Sequence, residues 1–164
     1  MSRCIKHREF IPVAKVPAEM PQGIMMKYYI HGYGKTQELT VDSLKQVIKK
    51  LRKGDWNNIY LADDSDMEDS YMQLESGDSL YALQYIKSIG VAGEETWWST
   101  YDPDYLDSNE ETDIDCSDGQ SIIYRENTTA DKEAVMAAIE YFIRTGKLWD
   151  GIPWMKCWQE WVEE

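Results

Sequence analysis

GQSIIYRENTTADKEAVMAAIEYFIRTGKLWDGIPW, residues 119–154, decides the reading of this chain. Between Ala130 and Arg144 the apolar residues Val135, Ala138, Ile139 and Phe142 recur at helical spacing, while Glu133, Glu140 and Arg144 face away. That is an amphipathic helix with one buried face, expected over 130–145. Thr128 or Thr129 is placed to cap it, and Asp131 and Glu133 suit the positive end of its dipole. Gly146 stands just past its end, where a left-handed residue is needed. The stretch thus reads as strand, capped helix, glycine stop, and a tryptophan returning to the core.

The same residues carry a family likeness. Gly119-Gln120 before a short strand, a helix with Ala137-Ala138 and Phe142, then Thr145-Gly146 and Trp154, resembles immunity protein family one of bacterial polymorphic toxin systems. The resemblance covers the last third of the chain and extends more loosely back to about Asn57. It implies a protein that binds and silences a cognate toxin domain, often a nucleic-acid deaminase or nuclease. The matched residues are fold determinants, so the resemblance assigns no toxin contacts.

The 164 residues suffice for one domain with its own core. The expected organisation is an extended N-terminal arm over 1–23, with a short strand around 10–13, and a single α+β domain over 24–164. No apolar run has the roughly 20 residues that span a bilayer, and the N-terminus has no apolar export core. Cys4, Cys116 and Cys157 are odd in number and widely spaced, which suits a reducing cytoplasm rather than a disulfide framework.

Charge is uneven. Residues 1–53 hold 11 Lys/Arg against 4 Asp/Glu, and 54–164 hold 6 against 26, giving the net −13. Such a field repels nucleic acid and membrane phosphates and attracts basic proteins. Solubility is the alternative use of the same charge.

Upstream, residues 24–31 alternate, with Ile24, Met26, Tyr28 and Ile30 on one face, as in a half-buried strand. Gly32-Tyr33-Gly34 is the expected turn. Thr40 caps a helix running to about Arg52, with Leu44, Val47, Ile48 and Leu51 inward. Lysines 45, 49 and 50, with Arg52 and Lys53, read as its solvated face. From Asn57 to Arg125 short strands follow one another: 59–62, 71–75, 80–86, 95–101, then Ile114 and 121–125. Several strands in series with two helices argue a meandering, mostly antiparallel sheet packed with two principal helices. Trp154, Trp158 and Trp161 share one face of a short C-terminal helix, packed on the core or docking in a partner's groove.

Two acidic loops interrupt the strands. The first holds Asp63, Asp64, Asp66, Glu68 and Asp69; the second, 102–118, has eight acids in 17 positions. The first partly fits a calcium-loop frame, but Asp69 stands where the sharp turn needs glycine. His7-Arg8-Glu9 fits half of a zinc-deaminase signature whose cysteine half is absent. There is no nucleophile elbow, paired-cysteine motif or phosphate loop, so neither an enzyme nor a cofactor or metal is expected.

The candidate partner-binding residues are therefore Asp102, Asp104, Asp107, Glu110 and Glu111, with Tyr101, Tyr105 and the outward member of Trp97/Trp98 as aromatic anchors. Asp63, Asp64 and Asp66 are the secondary set. Together they offer carboxylates where a toxin expects phosphates. Three function classes stand: a toxin-neutralising binding protein, an acidic or nucleic-acid-mimicking interaction module without a toxin, and a calcium-dependent or hydrolytic enzyme.

Overall fold

A computed structural model describes residues 1–24, 28–32, 35–54, 57–63 and 69–164. Eight antiparallel strands form one sheet: β1 (Ser2–Ile11), β2 (Tyr29–Gly32), β3 (Lys35–Glu38), β4 (Asn58–Ala62), β5 (Tyr71–Gly77), β6 (Leu80–Lys87), β7 (Thr96–Ser99) and β8 (Trp154–Glu163). Their spatial order is β1-β8-β7-β6-β5-β4-β2-β3. Strands β4 to β7 form the expected meander. Helices α1 (Val41–Lys53) and α2 (Lys132–Thr145) contribute to one shared core on the sheet's first face.

Both helices form where the residues dictate. Thr40 and Ser43 make a reciprocal capping box on α1, and Gly54 ends it at φ 78°. In α2 the cap is Asp131, whose side chain accepts from Ala134 N–H, rather than Thr128 or Thr129. Thr128 is instead buried, donating its hydroxyl to the Arg125 carbonyl at 2.9 Å. Gly146 closes α2 at φ 73°. The inward residues of α1 and α2 meet Ile30, Ile59, Leu61, Met72, Leu74, Leu83 and Trp154 of the sheet. Phe142 lies between the rings of Tyr28 and Tyr85, with centroids 5.2 and 5.3 Å away. The hairpin from β5 to β6 turns in two residues, Asp78 and Ser79, at φ 54° and 62°. Positive φ at both matches the twist of the flanking strands.

The chain ends depart from expectation. Residues 2–11 are no arm: β1 is an edge strand paired with all of β8, from Ser2↔Glu163 to Ile11↔Trp154. Only the residues after Ile11 run outside the sheet, held by Ala18 N–H on Asp150 Oδ1 at 2.8 Å and Trp149 Nε1 on the Ala18 carbonyl at 3.0 Å. The C-terminal helix expected from the tryptophan spacing is strand β8. Trp154 and Trp158 lie on one face, and Trp161 on the other. A ten-residue ladder satisfies the backbone of both ends at once, a non-local gain that local periodicity does not register. An ion pair of Arg3 with Glu164 at 3.5 Å and a hydrogen bond between His7 Nε2 and Glu160 Oε2 at 2.9 Å add to it, while His7 stacks on Trp158.

Residues 121–125 and Ile114 form no strands either. They belong to an irregular segment over 100–128, broken by 3₁₀ turns at Pro103–Tyr105 and Arg125–Asn127. Ile114 and Ile123 pack on Leu80 and Ala82, on the sheet's second face. The acidic run thus covers part of that face, its two limbs joined by an antiparallel bridge of Glu111 with Tyr124.

Candidate acidic interface on the second face

The register of the sheet aligns one row of side chains on the second face across all eight strands: Thr36, His31, Tyr60, Gln73, Gln84, Ser99, Met155 and Phe10. The row is largely polar, unlike the apolar first face. Segment 100–128 lies against part of this face, and two buried carboxylates fasten it there.

The first is Glu126, 7% exposed. Its carboxylate accepts from Arg8 Nη2 at 2.8 Å, Lys6 Nζ at 3.1 Å and the Asp107 backbone N–H at 2.9 Å. Arg8 also holds the Asp107 carboxylate at 2.7 Å. Burial pushes the Glu126 carboxyl up, but the Asp107 N–H, Lys6 and Arg8 together outweigh it and hold the group below its ordinary range. Arg8 stays charged: burial works against its guanidinium, and Asp107 and Glu126 more than restore it.

The second is Glu75, 3% exposed, on the second face of β5. It accepts from the Ser117 hydroxyl at 2.6 Å, from Ser117 N–H at 3.2 Å and from Gln73 Nε2 at 2.8 Å. The Tyr60 hydroxyl lies 2.7 Å from Ser117 Oγ and accepts from Gln73 at 3.0 Å. Ser117 is thus committed to holding the segment. Burial, with Glu75, Asp118 and Asp115 nearby, pushes the Cys116 thiol up to about 11, so it stays protonated and unreactive at neutral pH.

Within the segment the sequence candidates divide into two groups. Asp102 caps the first 3₁₀ turn by accepting from Asp104 N–H at 3.0 Å, and Asp107 is tied to Arg8. Tyr101 packs its ring on Phe10, and Tyr105 lies under the Arg125 guanidinium at 4.4 Å. These four are parts of the scaffold. Asp104, Glu110 and Glu111, with Asp113 and Asp115, are exposed and make no ion pair among the described residues. Trp98 joins the core of the first face, and Trp97 is the outward member, 47% exposed.

Comparison with protein-family models, with curated proteins and with solved structures finds no match to this chain.

Asp63, at the described start of the first acidic loop, and Ser117 of the second lie toward opposite ends of β4. Asp63 follows β4 at Ala62, whereas Asn58 at the other end of β4 pairs with Glu75, the anchor of Ser117. The four residue steps from Asn58 to Ala62 set the two ends of β4 about 13 Å apart. Asp64, Asp66 and Glu68 of the calcium frame lie outside the described residues, and its flanks β4 and β5 are strands, not helices. No cluster of metal-ligating side chains occurs among the described residues. Nor is any described helix long and apolar enough to cross a membrane.

Glu126, Lys6 and Ser117 were not singled out by sequence reasoning, and Arg8 and Glu75 entered it only through the deaminase and calcium frames, not as anchors. The one signal for them was the contrast between a basic N-terminus and an acidic remainder, which invites pairing between the two. Part of that contrast is spent inside the fold, at Lys6, Arg8 and Glu126.

Proposed function

We propose that this chain is an immunity protein that binds a cognate bacterial toxin domain, of nucleic-acid deaminase or nuclease type, and occludes its basic active-site cleft. It acts in the cytoplasm as a stoichiometric inhibitor, with no cofactor and no catalysis of its own. The observation that carries this reading is the pinned acidic segment. Asp104, Glu110, Glu111, Asp113 and Asp115 are exposed and make no ion pair among the described residues, on backbone held down by Glu126 and Glu75. A preordered segment loses little conformational entropy on binding. Unpaired carboxylates steer and orient a basic partner, and a nucleic-acid-processing cleft is basic because phosphate contacts dominate its substrate affinity. The resemblance of 119–154 to immunity protein family one supports the same reading.

The test is co-expression with the toxin domain encoded beside this gene, followed by co-purification and association kinetics. Asp104→Asn, Glu110→Gln and Glu111→Gln combined should slow association at low salt and flatten its salt dependence, with an unchanged melting curve. Asp102 and Asp107 are left intact because they support the fold. Failure to co-purify would sink the proposal; binding to unrelated basic proteins instead would favour an interaction module without a toxin.

A further inference from the structure

Strand β8 outruns the strand beside it. Its pairing with β7 consists of Trp98 with Lys156 and Ser99 with Met155, while its pairing with β1 continues to Glu163. Beyond Cys157, β8 therefore presents a backbone edge on its β7 side that pairs with no strand among the described residues. Glu164 N–H donates to the Met1 carbonyl at 3.2 Å. Antiparallel pairs alternate between bonded and non-bonded, so the even-numbered residues of β8 bond to β1. The backbone N–H and C=O of Gln159, Trp161 and Glu163 point the other way, toward the open edge.

The notch where β7 parts from β8 is a groove of about 480 Å³ on the second face. Trp97 forms one wall and Cys157 and Gln159 the other, and Glu95 is its one charged lining residue. Trp161, 69% exposed, stands on the same face of β8 farther along. An unprotected edge beside exposed aromatics is unusual, because monomeric proteins cover or blunt such edges.

The geometry points to this notch as a strand-addition site, where an extended basic segment of a partner protein pairs with residues 159–163 of β8. Backbone bonds supply affinity, and alternate side chains reach the groove beside Trp97. Charge selects the occupant. Glu95 lines the groove, Glu163 makes no ion pair among the described residues, and the chain carries −13. The nearby cations are engaged elsewhere: Lys6 and Arg8 by Glu126, and Lys156 over the Trp98 and Trp158 rings. The inference rests on reading the chain as a binder of a basic partner, but not on which toxin that is.

The probe is a peptide of about ten residues alternating lysine and valine, added to the full chain and followed by hydrogen exchange. Residues 157–163 should become protected. Gln159→Pro removes an N–H that faces the open edge and leaves the β1 ladder its bonds, so it should weaken binding about tenfold. Gln159→Ala should bind as wild type. A glutamate–valine peptide of the same length should bind wild type about tenfold more weakly, which decides the charge argument even if the proline variant fails to fold. No protection at 157–163, or equal binding by both peptides, overturns the proposal. Protection confined to 102–118 with Gln159→Pro unaffected removes the notch and leaves the acidic-interface reading standing. Peptide bound in the notch while the neighbouring toxin fails to co-purify does the reverse. Protection of 157–163 that grows with protein concentration and no peptide would assign the edge to a second copy and overturn the partner named here.

Discussion

Arg8 and Glu126 stand 118 residues apart in the chain and are joined by a 2.8 Å charged hydrogen bond at the boundary between β1 and the acidic segment. The pair couples the edge strand to the cover of the second face. With Lys6 on the other carboxylate oxygen, it is the point at which the basic N-terminus neutralises part of the acidic remainder. Stability and binding surface are therefore linked through one carboxylate.

Glu126→Ala should leave Lys6 without its carboxylate and Arg8 with Asp107 alone. Removing one partner of a buried pair costs about 3–5 kcal/mol. Lys6 is part-exposed, so the lower end applies, a fall in Tm of roughly 6–12 °C. Thermal melts of the variant check it. A melt equal to wild type would mean the clamp contributes nothing.

The same group sets a pH dependence. The folded Glu126 carboxyl lies below its ordinary value of 4.5. Its contribution is therefore complete above that ordinary value and is lost as pH falls through the folded one. Wild type should lose stability as pH drops below 4.5, and Glu126→Gln should show a shallower loss over that interval. Parallel denaturation series for the two proteins compare the slopes; equal slopes would exclude Glu126 as a source.

Phe142→Ala should destabilise by about 3–5 kcal/mol, the usual cost of emptying an aromatic site in a core. Phe142 is 3% exposed between Tyr28 and Tyr85. Denaturant midpoints give the value. Partner binding measured on the folded fraction should be unchanged.

Gly151→Ala should destabilise although Gly151 has an ordinary φ. A Cβ there would collide with the indole of Trp149. That ring is held by its own N–H on the Ala18 carbonyl at 3.0 Å, and the Trp149 carbonyl accepts from Trp154 at 2.8 Å. Relieving the overlap means releasing these contacts, and overpacking of this kind costs about 1–3 kcal/mol. A crystal structure or melt of the variant tests it; wild-type stability would show that Trp149 moves freely.

Chelator together with reductant should leave the melting curve unchanged. Cys4, Cys116 and Cys157 are free thiols, and no metal-ligand cluster occurs among the described residues. A stability loss with chelator alone would direct attention to the acids between Asp63 and Glu75.

How much was legible in the sequence follows the range of the forces involved. The caps Thr40 and Gly146, the inward faces of α1 and α2, and strands β4, β5 and β6 rest on residues within one or two turns of each other. A 3.6 or 2.0 period displays them directly. The sequence by itself also determined that Trp97 and Trp98 face opposite ways, since successive strand residues must, and that an acidic surface lies after β7. Tertiary structure alone decided the rest. Tryptophans at 154, 158 and 161 satisfy a helical spacing, yet the backbone of 154–163 is a strand because β1, more than 140 residues earlier, supplies a full ladder. Segment 121–125 reads as a strand, yet its pairing is limited to a single antiparallel bridge of Tyr124 with Glu111, while Ile123 packs on Leu80 and Ala82. Likewise, nothing in a run of eight acids marks which are committed. Asp107 and Glu110 both face solvent, and they differ because folding brings Arg8 to Asp107. Charge pairing across the fold is set by where the strands lie, and strand order is a property of the whole chain.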